Sequence, residues 1–296
     1  MSGLGKYIFL CSLVLLYESC ATSRPAPEPP DSVEEILPDW QVFETGIEYF
    51  AGRVRKPRLK FWALRIDLTD PTIGFAVNKP EAVNGVFQDG VIPSVKVTSF
   101  TERYACLAGI NANPFDPASD KEEEPRKIVG IAVSQGLVVS DPNPAYDALV
   151  FYSDGQAEIR SQKNLNPAKI ENAVGGFRIV LKNGAVADRL LAPKKEPRYP
   201  RSAAGLSGDG NFLYLLVVDG RQPGSVGATE REIANILKRL GASEGLNFDG
   251  GGSTALALRQ ADGKVRTVNT PIHGGIPHRQ RGVGTCLGIV RRNSTP

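Results

Sequence analysis

Histidine is nearly missing from this chain. There are two in 296 residues, His273 and His278, and both fall between Pro271 and Gln280. Loop imidazoles are usually solvated, and a pair without a surrounding carboxylate or thiol cluster does not make a metal site. No metal ligand set and no cofactor are therefore predicted. Cysteine is also scarce, with four in the whole chain, which excludes a disulfide-stapled scaffold. Runs of basic residues are lacking: 35 Lys and Arg against 32 Asp and Glu give a formal charge of +3. That balance gives no electrostatic footprint for nucleic acid. There is one long apolar run, Tyr7 to Leu16 after Lys6. It is short for a bilayer span and of the length of a signal-peptide core.

What is there fits an exported globular protein. Residues 1–20 read as a signal peptide, and Cys20 follows Glu18-Ser19 as the lipid-anchor cysteine of a relaxed lipoprotein signal. Ordinary secretion is the alternative. Residues 21–40 contain Arg24-Pro25-Ala26-Pro27-Glu28-Pro29-Pro30, which suits an extended tether between a membrane and a folded domain over 41–296. Cys106 and Cys286 remain in that domain, as a disulfide or as two buried thiols. With 41% hydrophobic and 23% charged residues, the domain can bury a core.

The fold class is α+β, dominated by sheet. Strands are predicted at Leu59 to Asp67, Ile73 to Val77, Ala105 to Ile110, Ile128 to Ser134, Ala148 to Tyr152, Phe177 to Leu181, Phe212 to Val218, Leu246 to Phe248, Ala255 to Leu258 and Cys286 to Val290. The first two are expected to form a hairpin about Asp70-Pro71. Asp154-Gly155, Asn183-Gly184, Asp209-Gly210 and Asp262-Gly263 are hairpin turns. One strong helix is predicted: Thr229 to Glu232 is a capping box, Ile233, Ile236, Leu237 and Leu240 share a face, and Gly241 stops it. A strand-helix-strand crossover would then bring Asp219 and Asp249 to the same sheet edge, if the two strands are parallel.

The most informative segment is Leu246-Asn247-Phe248-Asp249-Gly250-Gly251-Gly252-Ser253-Thr254. Three consecutive glycines belong where φ is positive or where something approaches too closely for a Cβ. Here they stand between a carboxylate and two hydroxyls, and their N–H groups would make an anion nest. A tight structural turn is the competing reading. The segment is neither a P-loop nor a dinucleotide-binding loop, since no Gly-Lys-Ser/Thr follows and the next residues read as strand.

Taken with Gly109 to Phe115, Pro200 to Gly205, Val218 to Arg221, Gly227 to Ala234 and Gln280 to Val283, this segment resembles the phosphodiester glycosidase family. That family includes the N-acetylglucosamine-1-phosphodiester α-N-acetylglucosaminidases. The resemblance spans about residues 60–292 and departs from the family pattern at Ala112 and Pro114, where a glycine and an aromatic are usual. It implies an exported hydrolase that cuts the glycosyl C–O bond of a sugar-1-phosphodiester. Its partners would be a carbohydrate or sugar-phosphate substrate and, through Cys20, a membrane. Catalytic roles fall to Asp249, Asp219 and Glu232, although Glu232 is equally placed as the helix cap. Substrate or phosphate contacts fall to Arg201, Arg281, Asn111, Asn247, Gly250, Gly251, Gly252, Ser253 and Thr254. A non-catalytic glycan-binding module on the same fold is the alternative, motivated by the altered Asn111 to Phe115 block.

Overall fold

The computed structural model describes residues 32–192 and 196–292. The expected signal peptide, Cys20 and the Pro-rich segment lie outside the described residues. The structure is sheet-dominated, with two α-helices among the described residues, α1 (Val97–Arg103) and α2 (Glu230–Leu240). Neither is long and apolar enough to cross a membrane.

The Phe212–Val218 strand is apolar at every position because its sheet is covered on both faces. Leu213, Leu215 and Val217 point into a core between sheets, whereas Tyr214, Leu216 and Val218 point into a second core against α2. This strand sits inside an eight-stranded sheet, flanked by Leu59–Asp67 and Arg201–Leu206, with Glu244–Asn247 and Arg178–Lys182 following. All these pairs are antiparallel. Two five-stranded sheets close the other side of the main core. One is built on Ile170–Gly176 and Asp147–Tyr152, the other on Ala108–Asn111 and Cys286–Arg291. Each Leu or Ile fully buried there contributes roughly 1.5–3 kcal/mol.

The four Asx-Gly turns join antiparallel neighbours as their chemistry requires. In the Asn183-Gly184 turn both residues have positive φ, 50° and 71°. The capping box of α2 is complete: Thr229 Oγ1 accepts from Glu232 N and Glu232 Oε2 accepts from Thr229 N. Gly241 closes the helix at φ 114°.

Four sequence expectations are corrected. Leu59–Asp67 and Ile73–Val77 do not pair; the first lies in the eight-stranded sheet and the second joins Cys286–Arg291 in another. Asp70-Pro71 is therefore a crossing between layers. Ile128 to Ser134 is split by Gly130 (φ 79°) into two strands of different sheets. The short α1 went unread because Lys96 at its N-cap makes no side-chain cap. The folded body also begins before residue 41. Val33 and Ile36 are buried in the α2-side core, and Arg239 Nε donates to Ile36 O at 3.2 Å.

Cys106 and Cys286 are both free and buried. Burial pushes the Cys106 thiol up to about 12 and Cys286 well above its ordinary value. Both are core side chains, with no thiolate to offer at neutral pH.

Candidate active site

Arg201–Leu206 is antiparallel to both Phe212–Val218 and Glu244–Asn247, so those two strands are parallel to each other with one strand between them. The crossover through α2 thus delivers Asp219 and Asp249 to the same edge. Their environments then diverge.

Asp219 is 1% exposed and its carboxylate is committed to protein. Oδ1 accepts from Thr270 N at 3.0 Å and from Asn269 Nδ2 at 3.3 Å, and Oδ2 accepts from Thr270 N at 3.3 Å. Burial pushes its carboxyl upward against these hydrogen bonds. It fixes the root of the hairpin formed by Ile272–His273 and Ile276–Pro277.

Asp249 is only partly covered from solvent, yet surrounding protein pushes its carboxyl up to about 6. Desolvation is the largest cause. Hydrogen bonds from Ser253 and the Gly250 backbone, and the charge of Arg281, act in the opposite direction. Asp249 thus stands near the surface while crowded by protein atoms. Its backbone is held on both sides: Asp249 N donates to Ala112 O at 2.8 Å, and Asp249 O accepts from Asn111 Nδ2 at 2.6 Å.

Asn111 is the hub of that support. Fully buried, it also accepts at Oδ1 from Ser202 Oγ at 2.7 Å and Ala255 N at 3.2 Å. Its amide is therefore occupied by protein, which corrects the expected ligand-lining role. The altered block around it is equally well used. Asn113 Oδ1 accepts from Gly175 N and Thr285 Oγ1, and its Nδ2 donates to Ile131 O at 2.9 Å.

The glycines do what their rarity suggests, with one change. Gly251 has φ 61°, and a Cβ on Gly252 would lie 2.6 Å from Arg281 Nη2. Two of the amides are spent inside the protein, however: Gly250 N–H serves Asp249, and Gly251 N donates to Pro200 O at 2.8 Å. The loop is a seat for Arg281 more than a free anion nest. Arg281 Nη1 donates to Ser253 Oγ at 3.2 Å, and Nε donates to His273 Nδ1 at 3.1 Å. Ser253, 2% exposed, thereby bridges the guanidinium and the carboxylate.

The remaining expected residues are buried or engaged by protein around this turn. Arg201 alternates with Ser202, so it leaves the strand on the α2 side. Its Nε donates to Ala228 O at 3.1 Å, its charge faces Glu230, and it stands over Tyr199. Glu232 is the helix cap and is held by both nitrogens of the Arg198 fork at 2.6 and 2.7 Å. Asn247 is buried beside its register partner Ala203 on the same side. Its Oδ1 and the Thr254 Oγ1 are buried and make no hydrogen bond among the described residues.

Sequence reasoning passed over Arg221 and gave His273 little weight. Arg221 (φ 58°) lies over the 41%-exposed Tyr199, with Nη2 3.1 Å from where a Gly251 Cβ would stand. It adds to the positive field at Arg281. The signal was present in Asp219-Gly220-Arg221, where the turn masked the functional reading. Among the described residues no group of three or more His, Cys, Asp or Glu is arranged to hold a metal ion.

Asp249, Arg281 and Arg221 thus gather around the glycine turn, drawn from three separate segments of the chain. The sequence pattern of phosphodiester glycosidases matches residues 104–290, which contain all of them. The chain belongs to the phosphodiester glycosidase family.

Solved structures similar to this phosphodiester glycosidase-family chain include the zebrafish N-acetylglucosamine-1-phosphodiester α-N-acetylglucosaminidase catalytic domain, auto-inhibited by its pro-peptide. The likeness has TM-score 0.60 at 17% identity over 89% of this chain and 87% of that one. A hypothetical protein from Synechocystis gives TM-score 0.62 at 16% identity, covering 87% of this chain and 64% of that one. A putative exported protein from Burkholderia pseudomallei gives 0.53 at 18%, over 79% and 74%. At these identities the likeness establishes a shared fold. The SPbeta prophage-derived uncharacterized protein YomE of Bacillus subtilis is 22% identical over 225 residues, covering 72% of this chain. This chain spans only 33% of that relative.

Proposed function

We propose that the protein hydrolyses the glycosyl C1–O bond of a sugar-1-phosphodiester, with Asp249 as its reacting carboxylate and Arg281 with Arg221 as its phosphate-binding pair. The carrying observation is the Asp249–Ser253–Arg281 arrangement, a carboxylate of a partly exposed residue linked through one hydroxyl to a guanidinium. Breaking a C1–O bond develops positive charge at C1 and leaves a phosphate monoester. The charges of Asp249 and Arg281 match those two demands. A phosphate monoester departs more easily than an alcohol, so arginines that hold its oxygens replace much of the work of a general acid. Asp249, ionised above about pH 6, serves as nucleophile or as base for the attacking water.

Asp219, Glu232, Asn111 and Arg201 act here as supports. The substrate class follows the family and the activity named for the zebrafish relative. A B. pseudomallei protein of this fold carries the description putative exported protein, and the apolar run, Cys20 and the Pro-rich segment support an exported, membrane-tethered protein here. Full-length protein assayed with sugar-1-phosphodiesters in 18O-labelled water tests the reading directly. Label in the released sugar is expected. Label in phosphate would refute C–O cleavage, and tight binding without turnover would favour the glycan-binding alternative.

A further inference from the structure

Arg281 is the one guanidinium at this site whose orientation is set by an imidazole. Its Nε–H is held by His273 Nδ1 at 3.1 Å, while Nη1 reaches Ser253 at 3.2 Å. Because an arginine N–H only donates, His273 Nδ1 must present a lone pair and the ring proton must reside on Nε2. The ring is itself firmly placed. His273 N donates to Arg279 O at 3.0 Å, Ile272 is buried, and Asp219 grips the preceding Thr270. Gly274 and Gly275, at φ 61° and 78°, turn the chain back within two residues. This placement gives the hairpin a purpose beyond connecting two strands.

We propose that His273, in its neutral Nε2–H tautomer, is the positioning residue that sets the Arg281 fork for a phosphodiester, and that protonating His273 releases that grip. The inference rests on the site reading above. A protonated ring would turn Nδ1–H against Nε–H and place two cations in contact. The surroundings favour the neutral ring: burial and the charge of Arg281 lower its proton affinity, Arg279 adds to this, and Asp120 opposes it. Asp120 is engaged by Arg279, whose Nε lies 2.7 Å from Oδ2. Asp249 and Arg221 are the other charges felt by Arg281, and Arg126 adds a weaker one.

The first test is 15N NMR of the full-length protein, in which only two histidines contribute side-chain imidazole signals. A His273 ring locked as Nε2–H and titrating below an ordinary histidine is expected; a mixed tautomer with ordinary titration overturns the proposed pair. The second test measures binding of the methyl ester of a C-glycosyl phosphonate of N-acetylglucosamine, a non-hydrolysable analogue of the diester that keeps one negative charge from pH 5 to 8. Removing the acceptor in His273→Phe should weaken binding about tenfold at pH 8. His273→Asn, whose Oδ1 replaces the Nδ1 acceptor, should restore most of that loss and abolish the part of the acid weakening that wild type shows relative to it. Asp249 titrates alike in wild type and His273→Asn, so their difference isolates the ring. Equal affinity and equal pH dependence in wild type and His273→Phe overturn the proposal. Absence of analogue binding at every pH overturns the phosphodiester reading instead, while the tautomer still reports whether the pair exists.

Discussion

Asp249→Asn should separate activity from stability in opposite directions. The carboxyl sits at about 6 in the folded protein against an ordinary 3.8, so between those values the folded state binds more protons than the unfolded chain. Stability therefore falls as pH rises through this window, and above it the folded protein carries the full cost of an ionised, desolvated carboxylate. The difference is worth about 3 kcal/mol by the usual conversion. Asn offers an amide where Ser253 and Gly250 N–H now donate and removes the counter-charge of Arg281, so the net gain at pH 8 should be smaller, about 1–2 kcal/mol. For a domain of this size that is a rise of roughly 2–8 °C in Tm. Urea unfolding of wild type and variant at pH 4, 6 and 8 gives the decisive quantity, the change in their difference with pH. The variant should gain on wild type from pH 4 to 8 while losing turnover by two orders of magnitude or more. Parallel stability curves would refute the desolvated-carboxylate argument, and full turnover in the variant would refute the site.

Gly252→Ala should cut turnover at least tenfold with a stability loss near 1 kcal/mol, measured by initial rates and Tm, because its Cβ would displace Arg281 Nη2. Glu232→Gln keeps an acceptor for the cap but discards the charge pairing with Arg198; it should cost about 0.5–1.5 kcal/mol in urea titrations and leave turnover close to wild type. Arg221→Ala should raise KM more than it lowers kcat, whereas Arg201→Lys should act on Tm more than on either, reversing the ranking that sequence alone suggests. Cys20→Ser should move the protein from membrane to soluble fractions of the producing cell, and unchanged partitioning would refute the lipid anchor.

The parts of this molecule legible in sequence are those decided locally. Thr229, Glu232 and Gly241 mark α2 without reference to anything distant, and the Asx-Gly pairs mark their hairpins. The parts that were misread depend on which sheet a strand joins. Nothing local says that Ile73–Val77 leaves its predecessor to pair with Cys286–Arg291, some two hundred residues later. The site shows the same division. Asp249 and the glycines announce themselves by composition, whereas Asn111 and Asp219 have the chemistry of ligand-binding groups and are consumed by backbone and side-chain partners that only the assembled fold supplies. Arg201 and Arg221 carry the same side chain in neighbouring motifs. Alternation along one strand sends the first towards α2, and a left-handed turn brings the second to the glycine turn.

The carboxylate and the guanidinium of the site belong to different layers. Asp249 ends a strand of the eight-stranded sheet, while Arg281 leads into Cys286–Arg291, which lies between Ala108–Asn111 and Ile73–Val77 inside a five-stranded one. That interior strand follows the other four strands of its sheet in sequence, so the sheet stays divided until Cys286–Arg291 has been made. A nascent chain holding the entire glycine segment consequently has the carboxylate without its guanidinium. Appearance of activity during synthesis or refolding should then coincide with insertion of this strand between its two neighbours, making turnover a clock for the closing of this sheet.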